Sequence, residues 1–169
     1  MGGGSSGVAG AAVTTVGFAD FNVGGTRTLD PQIRIFGPDA SVAQDLEPEF
    51  AAVNPDGTTA YVSIQENNAL AVVDLATGAV DLLPLGYKNH ALAGNALDPS
   101  NRDDGIAIST WPVYGMYQPD GIAAYSIGGA TYVFTANEGD ARDSDVRLAD
   151  VTLDETAFPN AAELQDNAV

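Results

Sequence analysis

Five side chains with an acidic or amide oxygen fall within nine residues at Asn137-Glu138-Gly139-Asp140-Ala141-Arg142-Asp143-Ser144-Asp145. Calcium takes about six to eight oxygen ligands from carboxylates, amides and carbonyls, often from one loop. Asn137, Glu138, Asp140, Asp143 and Asp145 are therefore candidate calcium ligands, and Gly139 would permit the tight turn such a loop needs. Arg142 works the other way, because its charge could pair with Asp140 or Asp143 and compete with a cation. The spacing is not that of an EF-hand. A calcium loop and a salt-bridged structural turn both fit the string.

A second oxygen-rich turn runs from Asp98 to Gly105 (DPSNRDDG). It offers Asp98, Asn101 and Asp103 as metal ligands, or as the side chains of Asx-turns in a solvated loop. His90 is the only histidine and sits beside the only lysine, Lys88. A neutral imidazole can serve as general base or metal ligand, but no partner is evident, so a hydrogen-bonded loop histidine fits as well. Glu66 and Glu138 occupy similar places in two related stretches. Paired carboxylates suit general acid–base hydrolysis or a bound metal, and equally suit bonds to backbone N–H groups at turns. Trp111, Tyr114 and Tyr117 lie within seven residues. They could stack on a sugar or peptide, or pin a loop to the fold.

Composition limits what chemistry these residues can serve. Against 23 acidic side chains there are 6 basic ones, for a net charge of -17 and a pI near 4.1. No basic footprint exists for nucleic acid, and an anionic membrane surface would repel the chain. No apolar run is long enough to span a bilayer, so this segment does not insert directly. With no cysteine there is no disulfide, zinc–thiolate site or thiol nucleophile. Asp outnumbers Glu 17 to 6, with 19 Gly and 9 Pro. Asp, Gly and Pro favour turns, whereas Glu and Lys are usual on exposed helices, so an all-β chain with many turns is predicted.

The elements that must position these residues follow from the pattern. Residues 1–12 read as a flexible linker or scar, since MGGGSSG is low-complexity. Val13 to Val23 and Gln32 to Phe36 read as strands. Ala51 to Val53, Tyr61 to Ile64, Ala69 to Leu75 and Ala79 to Leu85 give four more, with turns at Asn54-Pro55-Asp56-Gly57, Glu66-Asn67-Asn68 and Ala76-Thr77-Gly78. This is an antiparallel meander over about 48–85, the size of one propeller blade. A second unit from 119 matches it. Pro48-Glu49 aligns with Pro119-Asp120 and Tyr61-Val62 with Tyr132-Val133, an offset of 71 residues in both cases (48 to 119, 61 to 132). Ile122 to Ile127, Gly128-Gly129 and Thr131 to Thr135 read as its hairpin. Between the units lies an excursion over 86–118, long enough to suggest function. Over 158–169, Asn160 to Gln165 reads as a short helix with Asn160 as N-cap and Glu163 three residues on.

Several strings resemble the choice-of-anchor I family. They are Asp45 to Val62 (DLEPEFAAVNPDGTTAYV), Gln65 to Asp74 (QENNALAVVD), Trp111 to Asp120 (WPVYGMYQPD), Thr135 to Asp143 (TANEGDARD) and Phe158 to Asp166 (FPNAAELQD). The resemblance implies a secreted or surface protein with a seven-bladed, YVTN-like β-propeller, related to alkaline-phosphatase-like and mesenchyme-specific cell-surface glycoprotein descriptions. No family catalytic residue carries over to these positions. The chain holds about two to three blades over 13–157, so it is expected to be part of a propeller, completed by remaining blades or by copies of itself. The expected function is extracellular or cell-surface binding or scaffolding, with calcium as stabilising ion and a surface glycan or protein as ligand. Two other functions fit: part of a metal-dependent phosphoester hydrolase, and a self-assembling structural subunit. One His and one Lys make a poor hydrolase site.

Overall fold

The computed structural model describes residues 12–100, 104–139 and 146–166. The meander is present as four strands: β1 (Pro48–Val53), β2 (Thr59–Ile64), β3 (Ala69–Asp74) and β4 (Val80–Pro84). They form one antiparallel sheet in chain order. Short polar side chains make its turns. Between β1 and β2, Gly57 N–H donates to Asn54 O (3.0 Å), and Asn54 Oδ1 accepts from Thr58 N (3.0 Å) and Thr59 N (2.9 Å). Between β3 and β4, Gly78 (φ 74°) closes onto Asp74 O at 2.8 Å, and Asp74 Oδ1 accepts from Ala76 N and Thr77 N. In both turns the side chain takes N–H groups that the ladder leaves free.

The register sorts the side chains into two faces, because successive residues of a strand point opposite ways. Ile64 faces Ala69, Val62 faces Ala71, and Leu82 continues that row on β4. This face closes over the core, where Ile64, Ala69 and Ala71 pack with Phe21, Ile33, Val42 and Leu46. Phe18, Leu29, Ile35, Val62, Val80 and Leu82 flank them. The cover is therefore the segment over 18–46, which contains a 3-10 turn (Ala19–Phe21) and the short helix α1 (Val42–Asp45). Arg27 ties it to the sheet rim through Asp81 and the Val80 carbonyl.

Here the sequence expectation needs correcting. Val13 to Val23 and Gln32 to Phe36 are not strands. Four of their apolar side chains serve burial, not ladder pairing: Phe18, Phe21, Ile33 and Ile35 pack in or against the core while the backbone turns, and Val13 and Val23 stay exposed. Among the Gln32 to Phe36 amides, Arg34 N–H reaches the sheet end at Asn67 O (3.2 Å).

The described parts of the predicted excursion over 86–118, residues 86–100 and 104–118, are held by short pieces. β5 (Lys88–Asn89) pairs with β6 (Tyr114–Gly115), a 3-10 turn spans Ala93–Asn95, and Leu97 bridges Ser109. The second unit follows as a hairpin of β7 (Pro119–Ile127) and β8 (Ala130–Asn137). Both units carry a register shift at matching places, between Pro48 and Ala51 and between Pro119 and Ile122. Ala52 faces Tyr61, and Ala123 faces Phe134. The offset of 71 thus holds on the first strands (52 to 123) and becomes 73 on the second (61 to 134). The counterpart of Tyr61 is Phe134, not Tyr132, because the second hairpin is longer.

β7 lies against β1 and β2. Ser63, on the face opposite Ile64, donates its hydroxyl to Asp120 O at 2.9 Å. Ile122 is buried and Ala124 and Val133 are half-buried on the hairpin's inner face. The order of layers is segment 18–46, four-stranded sheet, hairpin. At the C-terminal side a helix, α2 (Ala161–Asp166), is present as predicted, with Ala161 and Leu164 buried.

Candidate functional site

The buried polar side chains gather at the turn between β2 and β3 and at the start of β7. Asn67 and Asn68 are fully buried. Asn67 Nδ2 donates to Arg34 O (2.7 Å) and Asp45 Oδ2 (2.8 Å). Asp45 is also buried, and it accepts from Phe36 N (3.0 Å) and Gly37 N (2.6 Å). A buried carboxylate needs such donors, since an unmet charge in the interior costs several kcal/mol. Asn68 holds a left-handed backbone (φ 55°). Its Nδ2 donates to Gly86 O (2.7 Å), and its Oδ1 accepts from Tyr117 N (2.9 Å) and Gln118 N (3.3 Å). One side chain thereby joins both ends of the excursion.

This seam continues to the predicted calcium string. Glu138 N–H donates to Gln118 O (3.3 Å), and Glu138 Oε2 accepts from Gln65 Nε2 (3.3 Å). Gln65 and Glu138 are counterparts in the two units (65 to 138), so the inter-unit contact pairs equivalent positions. Asn137 is the last residue of β8, opposite Pro119. Asp140, Asp143 and Asp145 lie outside the described residues, as do Asn101 and Asp103. Asp98 Oδ1 accepts from Ser100 N (3.3 Å) and Oδ2 from Ala107 N (2.9 Å). Among the described residues, no group of three or more His, Asp or Glu side chains is placed to hold a metal ion.

His90 is buried in the excursion, with Nδ1 2.6 Å from Asn95 O. Its backbone accepts from Trp111 N and donates to Val113 O. A Cβ on Gly115 would come within 2.7 Å of Nε2, so glycine there lets the strand pass the ring. Trp111 spends its indole N–H on Leu97 O (3.2 Å). Tyr114 is exposed and meets Tyr87 edge-on at 6.5 Å, while Tyr117 is half-buried beside Asn68. Glu66 is half-buried in the same β2–β3 turn.

Sequence reasoning missed Asp45, Asn67, Asn68 and Gln118 as a connected set. The Glu66-Asn67-Asn68 turn signal was there, but nothing local marks a turn asparagine as buried.

A family model described as the choice-of-anchor I domain matches residues 3–169. No curated protein and no solved structure matches the chain. Among the described residues, no helix is long and apolar enough to cross a membrane.

Proposed function

The chain belongs to the choice-of-anchor I family, and from that premise we propose that it is an extracellular, cell-surface-associated module for binding or scaffolding. The family name points to surface association, and the match over residues 3–169 is the observation that carries the reading. The stacked sheet and hairpin are read as successive blades of a propeller, in support of which their first strands share a bulge at matching positions. Such modules bind a surface glycan or a protein through the loops that leave the strands. In this chain those loops are the excursion with Trp111, Tyr114 and Tyr117, and the stretch after β8.

The test is exposure on intact cells of the source organism. Antibody labelling and protease digestion should reach the protein without lysis. Protection until the cells are broken would overturn the surface reading.

Calcium is the ion proposed for the Asn137 to Asp145 stretch, resting on its five oxygen-bearing side chains. A ligand that binds only the folded state raises its stability. Millimolar calcium should therefore raise the Tm, and EDTA should reverse the rise. An unchanged Tm would remove calcium and leave the surface reading standing.

A further inference from the structure

His90 is the chain's only histidine, and 8% of it is exposed. Its Nδ1 lies 2.6 Å from Asn95 O. A carbonyl only accepts, so Nδ1 carries the proton and the neutral ring presents a lone pair at Nε2. Nε2 faces Gly115, where a side chain would collide with it. The site is therefore fitted to the neutral ring. The same ring stands at the root of the excursion. His90 N–H donates to Val113 O (3.1 Å), and Trp111 N–H donates to His90 O (3.1 Å). Asn95, which takes the ring proton, donates its Nδ2 to Asn89 O (2.9 Å) and its N–H to Leu92 O (2.8 Å). Trp111 gives its indole N–H to Leu97 O. Residues 88–97 and 109–115 thus close on one imidazole.

We infer that His90 is an acid-sensitive latch: a second proton on its imidazole parts residues 88–97 from 109–115 and opens the excursion. The added charge has nothing to meet. Over 86–97 and 106–118 the other titratable side chains are Tyr87, Lys88, Tyr114 and Tyr117, and no carboxylate occurs, in a chain with 23 acidic groups. Lys88, the charged residue of the paired strands β5 and β6, is itself a cation. Among the described residues no carboxylate forms an ion pair with His90. A charge buried without a partner is strongly disfavoured, and that cost vanishes once the ring reaches water.

The sign follows from proton counting. The closed form binds fewer protons than the open one, so closure is favoured at high pH and lost as pH falls. A histidine in water takes its proton near pH 6.5, whereas free carboxylates take theirs near pH 4. The window for the latch therefore lies above that of the acidic groups. What opens is the loop that bears Trp111, Tyr114 and Tyr117. That these side chains meet a ligand rests on the surface reading; the opening does not, and the test below reads the opening alone.

The chain has one histidine and one tryptophan, so each reports without ambiguity. On the full chain, from about pH 8 to about pH 5 at constant ionic strength, NMR follows the His90 ring and the backbone amides while fluorescence follows Trp111. Protection of the His90 and Trp111 amides against hydrogen exchange should fall about tenfold per pH unit below about 6.5, the slope of one proton. Trp111 emission should shift to the red over the same range and recover when the pH is raised, while the amides of β2 and β3 keep their protection. His90→Asn keeps a donor for Asn95 O but has no second proton to take, so its protection should stay flat. Flat protection in the parent chain would overturn the latch. So would a fall that persists in His90→Asn, or one shared equally by β2 and β3, the mark of global unfolding. If His90→Asn does not fold, the parent chain still decides: the His90 ring and Trp111 emission must titrate with one midpoint, and two separate midpoints overturn the inference.

Discussion

Asn68 combines two requirements that separate substitutions can take apart. Its backbone is left-handed, a conformation that costs most non-glycine residues about 1–2 kcal/mol. Its side chain makes three bonds to backbone groups of the excursion. Asn68→Gly keeps the backbone and loses the bonds, while Asn68→Ala loses both. We expect Asn68→Gly to destabilise by about 2–3 kcal/mol, from the buried groups left unpaired, and Asn68→Ala by about 1 kcal/mol more. Urea unfolding of the two variants checks the order. A second residue-scale effect concerns acid. Asp56, Asp74 and Asp154 are each held below the ordinary value of 3.8, first by bonds from Thr58, Thr77 and Thr156 respectively. A lowered carboxylate contributes stability above its unfolded value and loses it as pH falls through the folded one. These turns should therefore be intact above about pH 4 and loosen below it. Carboxyl NMR titration should show all three protonating below 3.8. Asp as a turn residue was readable from composition. The burial of Asp45, Asn67 and Asn68 was not, because their partners lie far along the chain.

At the scale of elements, the strands of the meander were legible within a residue or two at most ends. Tight turns and short apolar runs are local, and β2 and β3 are apolar runs bounded by such turns. The N-terminal segment misled for the opposite reason. Val13 to Val23 has strand-like residues, but whether an extended run joins a sheet depends on a free edge, which no window of sequence shows. Its two phenylalanines, Phe18 and Phe21, became part of a lid over Ile64 and Ala71, while Val13 and Val23 stay exposed. Ile64 has no exposure at all and touches both the lid and the sheet's inner row. Ile64→Ala should cost about 2–5 kcal/mol, from lost burial and the cavity left behind. Ile64→Val should cost about 0.5–1.5 kcal/mol. If the two variants unfold at the same urea concentration, the lid does not pack on Ile64 as described.

Over the whole molecule, the net charge of -17 sets the response to solvent. Like charges spread over a small fold repel one another and oppose compaction. The ion pair of Arg27 with Asp81 works against this repulsion, and it is exposed. Raising sodium chloride from low to physiological strength should therefore raise the Tm, and calorimetry should show the gain flattening once the screening length falls below typical charge spacings. The candidate sites were only partly legible at this scale. The residue types at 98–105 and 137–145 were visible, but the sequence could not say that Glu138 pairs with Gln65 across the unit boundary. That pairing depends on how the second hairpin stacks on the first.

The Asn68 clasp has a consequence for how this molecule can change over generations. Because one side chain fastens Gly86 to Tyr117 and Gln118, the chain leaves and rejoins the fold at a single fixed neck. Residues between those points can be lengthened, shortened or rewritten while the strands on either side keep their places, since the closure entropy of a loop grows only slowly with its length. The excursion is therefore a port where new recognition surfaces can be grafted without redesigning the scaffold that carries them.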